Sequence, residues 1–280
     1  METIGLPILF ATFVWWFSTG LILGLSLLPG VSRGMIMFGA TVTLAVALMV
    51  LRLWSVDSSV AAVYVTFTAA LMVWAWIEVA FLTGYVTGPS VEPCPPNAKG
   101  VNRFLRALAT LLWHEVAILV GFALVIFFGW GVGGFTAVAA YAILLAMRMS
   151  VKINIFLGVP HAPYAFLPSH LRHLGSYFRT RPVTAFFPLS IICASVLTGY
   201  LSYLAYASTS VSEATSFALL ATLAAFALLE HWFLALSIAS ENLWRWVLPA
   251  HKSMTQTPPA PLARVAASIR PESGPQRSRP

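Results

Sequence analysis

Carboxylates and imidazoles stand inside long apolar runs at Glu78, His114, Glu115, Glu230, His231 and Glu241, and Arg148, Lys152 and Asn154 share another such run. A charged side chain at the centre of a bilayer costs about 2.5–3.5 kcal/mol on insertion scales, so such groups face one another or a wet cavity. The chemistry open to them is ion pairing, proton relay between carboxylate and imidazole, and coordination of a metal by an imidazole nitrogen. Spacing sorts them onto helix faces. Glu230 and Glu241 lie eleven positions apart, close to three turns, and Glu241/Arg245 and Arg148/Lys152 each lie four apart, so each pair is co-facial. His114–Glu115 and Glu230–His231 are neighbours about 100° apart on a helix, and each can straddle a seam between helices. These positions predict one polar cluster in the inner half of a bundle.

Each group also has a plainer structural reading. Arg148, Lys152, Glu241 and Arg245 can snorkel or pair at the interface. Glu78, Glu115 and Glu230 can be buried pairs that fix helix register, and His114 and His231 can simply hydrogen-bond a neighbouring helix. A carboxylate-bridged di-iron centre needs Glu-x-x-His on two helices. Here Phe81, Ile118, Phe233 and Trp244 stand three residues after the four glutamates, so that motif is missing. A tetrapyrrole asks for less, because one imidazole in an aromatic pocket can ligate its central metal, and Trp113, Trp232 and Trp244 are near in sequence.

The elements that carry these residues are set by composition. Hydrophobic residues make up 59% of the 280 and charged ones only 9%, where an ordinary soluble domain has about 25% charged. The fold class is therefore all-α, a polytopic transmembrane bundle, because backbone polar groups in hydrocarbon must be satisfied within their own segment. Seven spans are predicted, over about 7–28, 34–53, 60–85, 107–128, 135–156, 183–206 and 214–247. The first lacks the positive flank and short apolar core of a signal peptide, which predicts a retained span. Gly20 and Gly24 within it form a small-xxx-small step that permits close helix approach. The bundle fills residues 1–250 with a long loop at about 157–182, and 251–280, rich in Pro, Ser and Arg, predicts a disordered basic tail.

Loop charge sets the expected orientation. Lys99, Arg103 and Arg106 follow the third span, Arg172, Arg179 and Arg181 follow the fifth, and five more cations lie in the tail, whereas the alternate loops carry almost none. Basic loops stay cytoplasmic, which places the N-terminus outside and the C-terminus inside a bacterial inner membrane. The net charge of +7 then belongs to topology and to anionic lipid, and no nucleic-acid motif is present. The long loop holds His161, His170 and His173. Its LPSHLRHLGSYF stretch predicts a short amphipathic helix capped by Ser169 after Pro168; interfacial packing and metal binding are both open to His170 and His173.

The blocks WAWIEVAFLTGYVTGP (74–89), LLWHEVAIL (111–119), KINIFLGVPHAPYAFLPSHLRHLGSYFR (152–179) and LEHWFL (229–234) together resemble the PuhE family, the photosynthetic complex assembly proteins of purple phototrophic bacteria. The long third block is the specific part, and the resemblance runs from the first span to about Pro249. It implies an inner-membrane factor that supports formation of the reaction centre and core light-harvesting complex and influences bacteriochlorophyll supply. Implied partners are the bilayer, reaction-centre or light-harvesting subunits and other assembly factors, with bacteriochlorophyll or a precursor as the candidate cofactor. No catalytic residue is carried over. A metal-dependent membrane enzyme of pigment synthesis and a proton-coupled transporter are the alternatives that the same Glu/His cluster leaves open.

Overall fold

The structure, a computed structural model, describes residues 2–27, 32–162, 167–236 and 243–244. Seven helices are long and apolar enough to cross a membrane: α1 (Glu2–Leu27), α2 (Arg33–Trp54), α3 (Val60–Leu82), α4 (Gly100–Phe128), α5 (Phe135–Leu157), α6 (Phe186–Ala207) and α7 (Val211–Ala235). Short 3-10 segments cover Val132–Gly134 and Ser169–Tyr177. The predicted all-α bundle of seven spans is what the chain forms.

Helices α3, α5 and α7 form the inside. The most apolar windows of α3 and α7 are each 56% buried against 17% for α2, which identifies α2 as a peripheral helix. Helix α2 lies on α3, α1 on α7 and α3, α6 on α7, and α4 across α3 and α5. Because lipid is as apolar as leucine, close packing and internal polar contacts, rather than a hydrophobic stripe, decide which faces turn inward. Ala11, Phe67, Ala140, Leu219 and Leu220 fill one core region, and Leu51, Ile77, Ile118 and Tyr141 another. Gly20 and Gly24 are both buried within the bundle, so α1 spends its small-residue step on internal packing.

The end opposite the long loop is closed by glycine. Gly133 donates its N–H to the Ser55 carbonyl at 2.8 Å, and a Cβ on Gly133 would stand 1.9 Å from the Asp57 carbonyl oxygen. Only a residue without a side chain fits there, which explains the uncharged Gly-Trp-Gly-Val-Gly-Gly turn. Asp57 and Ser59 start α3 beside it: Ser59 donates its N–H to Asp57 Oδ1 at 2.8 Å, and its hydroxyl accepts from the Ala62 N–H at 3.2 Å. Tyr200, Tyr203 and Tyr206 are exposed towards this end of α6, where amphipathic rings suit a headgroup layer.

Several boundaries differ from expectation, and α1 begins at Glu2 rather than Pro7. Helix α4 begins at Gly100, not after Arg106, and its 29 residues span about 44 Å, so its first turns project beyond the hydrocarbon. Helix α7 ends at Ala235, where the Leu236 N–H closes on the Trp232 carbonyl at 2.9 Å; most of the expected stretch from there to Val247 lies outside the described residues. In the loop helix Ser169 is the first helical residue rather than the cap, and Pro168 precedes it without a side-chain bond. Its buried residues Leu171, Leu174 and Tyr177 recur every three positions, the period of a 3-10 helix. The expected tail, 251–280, lies outside the described residues.

Candidate functional site

Helix α5 supplies the hub. Arg148 Nη2 donates to Glu78 Oε1 of α3 at 2.5 Å, and Lys152 Nζ donates to Glu115 Oε1 of α4 at 2.6 Å. The i, i+4 spacing puts both cations on one face, so one stripe of α5 ties two neighbouring helices. Arg148 also lies 5.8 Å from the centroid of the Trp74 ring, within cation–π range. Ser150 and Asn154, again four apart, serve α7 and α6: Ser150 Oγ bonds His231 Nε2 at 2.8 Å, and Asn154 Nδ2 donates to Ser190 Oγ at 3.0 Å. Ser190 in turn donates to the Phe186 carbonyl at 2.8 Å.

The tautomer of His231 follows from its neighbours. Its Nδ1 lies 2.8 Å from the Ala227 carbonyl, which can only accept, so Nδ1 carries the proton and the neutral ring's Nε2 accepts from Ser150. Both nitrogens of this fully buried ring are engaged. Glu230, the preceding residue, lies in the field of Arg148 and Glu78 and is approached by the Trp15 indole. Among the described residues the intramembrane cluster therefore holds three carboxylates, Glu78, Glu115 and Glu230, against two cations, and Glu230 is the one without a salt bridge.

His114 sits about four turns into α4, which starts at Gly100. Its ring is 2% exposed, lies 4.4 Å from the centroid of Phe81, and leaves Nδ1 without a hydrogen-bond partner; Glu115 Oε2 is likewise unpartnered. The segment after α3 runs against α4 here. The His114 N–H donates to the Thr87 carbonyl at 2.9 Å, and a Cβ on Gly88 would stand 2.2 Å from the Ala109 carbonyl oxygen. Ligation of a tetrapyrrole by either imidazole is not served by this arrangement, since His231 spends both nitrogens and His114 is enclosed against Phe81. Among the described residues no three His, Cys, Asp or Glu side chains gather closely enough to hold a metal ion.

The long loop closes over the end of α5 and is pinned at its base. Val159 donates its N–H to the Arg179 carbonyl at 3.0 Å and accepts from Arg181 at 3.3 Å, with a single parallel bridge pairing Val159 and Thr180. The last carbonyls of α5, which a helix cannot satisfy itself, find partners here: Gly158 N–H bonds Asn154, Arg179 N–H bonds Ile155, and Arg103 Nη1 bonds Phe156 at 3.1 Å. Arg103 also donates to the Tyr177 carbonyl and covers the Phe156 ring at 4.0 Å. Tyr177 donates its hydroxyl to the Glu92 carbonyl at 3.1 Å, and Ser176 Oγ accepts the Cys94 N–H at 2.7 Å, so the two loops of this end interlock.

The loop histidines do not join the membrane cluster. His161 is exposed, and its backbone N–H donates to the Leu234 carbonyl at 3.1 Å, capping α7. Arg33 Nη2 lies 3.4 Å from His170 Nδ1; an arginine can only donate, which leaves the imidazole proton on Nε2. Burial, followed by the Arg33 cation and the nearby His173, holds His170 below its ordinary value, against a backbone hydrogen bond at Leu82. Among the described residues the Nε2 atom of His173 is buried without a hydrogen-bond partner. Glu241 and Arg245 lie outside the described residues. Sequence spacing overlooked Ser150, Ser190 and Trp15; only Ser150 carried a signal, four residues before Asn154 on one helix face.

A protein-family profile described as "Protein of unknown function (DUF3623)" matches residues 1–255. The chain is also similar to a Rhodobacter capsulatus protein described as an uncharacterized 30.4 kDa protein in the puhA 5′ region. The two are 38% identical over 256 residues, covering 89% of this chain and 93% of that one. No solved structure matches.

Proposed function

Because the chain belongs to the DUF3623 family of unknown function, we propose from its relative's locus and its own architecture that it is an integral-membrane assembly factor. It supports formation of the photosynthetic reaction centre and core light-harvesting complex, and it influences bacteriochlorophyll supply. The observation that carries this reading is the relative's place in the 5′ region of puhA, a photosynthesis gene. A seven-span bundle suits a factor that works in the same membrane as its clients, and the resemblance to PuhE proteins favours the same role. In this reading the Arg148–Glu78 and Lys152–Glu115 pairs hold α3, α4 and α5 in one register, and the interlocked basic loops are the surface that meets client polypeptides on the cytoplasmic side of the inner membrane.

Two experiments test it. Deleting the gene in a phototrophic bacterium that carries it should lower the near-infrared absorbance of assembled core complexes; unchanged spectra would remove the proposal. For the orientation, a cysteine at Arg172, in a variant lacking Cys94 and Cys193, should react with a membrane-impermeant maleimide only in inside-out vesicles. Labelling in intact spheroplasts would reverse the topology.

A further inference from the structure

The geometry points to a binding site for an anionic phospholipid between α4 and α5, at the end of the bundle that carries the long loop. A cavity of about 380 Å³ opens there, bounded by Val101, Arg103 and Phe104 from the first turn of α4, Phe156 and Leu157 from the last turn of α5, and Arg179 from the loop. Its walls are apolar and its polar side chains are two arginines, the pattern expected for a molecule with a negative head and a greasy body. Among the described residues no carboxylate lines it.

The cations are held in place without a counter-ion. Arg103 is 5% exposed and is locked by the Phe156 and Tyr177 carbonyls and by the Phe156 ring. These contacts and a hydrogen bond with the Cys94 side chain fix its position, and among the described residues no carboxylate forms a salt bridge with it. Arg179 is positioned through its backbone, whose N–H and carbonyl join α5 and Val159, and its guanidinium borders the cavity. Arg181 stands close enough to add to the field at Arg103. Across this end of the bundle, the described residues include Arg33, Lys99, Arg103, Arg106, Arg172, Arg179 and Arg181, against Glu92 as the carboxylate; Glu78 and Glu115 are spent on their ion pairs. Guanidinium groups match phosphate oxygens in a forked geometry that an ammonium cannot reproduce.

Depth selects a lipid over a free anion. The site lies where α5 leaves the hydrocarbon and the overlong α4 continues, which is headgroup level. Phe104 is 49% exposed and Ile153, a turn deeper on α5, 40% exposed, so apolar surface continues from the arginines into the hydrocarbon along the path an acyl chain would take. An anionic glycerophospholipid satisfies both halves, with its phosphate at Arg103 and Arg179 and its chain against Phe104 and Phe156. The inference does not depend on the proposed assembly role.

The test uses the full-length protein in nanodiscs of mixed phosphatidylglycerol and phosphatidylcholine, with retained lipid counted by native mass spectrometry. Wild-type protein should keep phosphatidylglycerol in preference to phosphatidylcholine. Arg179→Gln should lower that retention about fivefold, the usual effect of one basic residue at an anionic surface, and Arg179→Lys should restore part of it. Arg172→Gln, exposed on the same end but outside the cavity, should leave it unchanged. Equal retention of the two lipids, or an equal loss in Arg172→Gln, would overturn the site in favour of diffuse surface charge. Displacement of the lipid by millimolar inorganic phosphate would overturn it in favour of a small-anion site.

Discussion

Ser150 of α5 and His231 of α7 are joined at 2.8 Å, and the second ring nitrogen of His231 is spent on its own helix at Ala227. One imidazole at hydrocarbon depth is thereby converted into a helix-to-helix tie. Ser150→Ala leaves Nε2 buried without a donor and should lower stability by about 0.6–1.7 kcal/mol, the range for single polar ties between membrane helices. Unfolding in mixed micelles reads the loss directly; a variant as stable as wild type would show that the tie contributes nothing.

The Lys152–Glu115 pair should respond asymmetrically. Glu115→Gln strands a buried ammonium and should cost about 3–5 kcal/mol, whereas Lys152→Met with Glu115→Leu removes both charges and should recover most of it. A double-mutant cycle on thermal unfolding measures the coupling. Glu230→Gln, which breaks no salt bridge, should cost less than Glu115→Gln. The opposite order would mean that Glu230 anchors the cluster.

His170 gives the loop a pH dependence whose sign is set by burial. Its pKa lies below 6.5 in the folded chain and at about 6.5 when the loop is released, so the released state binds protons more readily. The docking contribution is fully present above about 6.5 and is lost as pH falls from there towards the folded value. Limited proteolysis of the loop should accelerate over that window in wild type and much less in His170→Gln, which keeps a polar group beside Arg33, Thr83 and His173. Equal acceleration in both would assign the effect elsewhere.

Gly88→Ala should loosen the loop that precedes α4. Its Cβ would stand 2.2 Å from a backbone oxygen, and neither chain can yield cheaply, so a cost of about 1–3 kcal/mol follows. Thiol labelling of Cys94, tied through its N–H to Ser176, should quicken in the variant. An unchanged labelling rate would show that the loop shifts without strain.

What could be read in advance followed from how each feature is encoded. Spans are written in local hydropathy, which is why α2, α3 and α5 begin and end within a few residues of expectation. The end of α7 is written in tertiary contacts: the His161 N–H caps Leu234 from a loop more than seventy positions earlier, and an apolar run gives no sign of it. Arg103 is a similar case. In sequence it reads as one of three loop cations after the third span, whereas it is nearly buried in the first turn of α4 and bonds the end of α5. The charged pairs were visible as residue types at helical spacing. Their pairing was not, because which glutamate meets which cation depends on helix order and rotation, and Ser150 was marked only by standing four residues before Asn154 on one helix face.

The Val159–Thr180 bridge gives the loop a closed neck. Chain entering from α5 and chain leaving towards α6 meet there, so length added or removed beyond the neck does not alter the distance between those helices. A short insertion beyond the neck is therefore absorbed within the loop, while the membrane part keeps its shape.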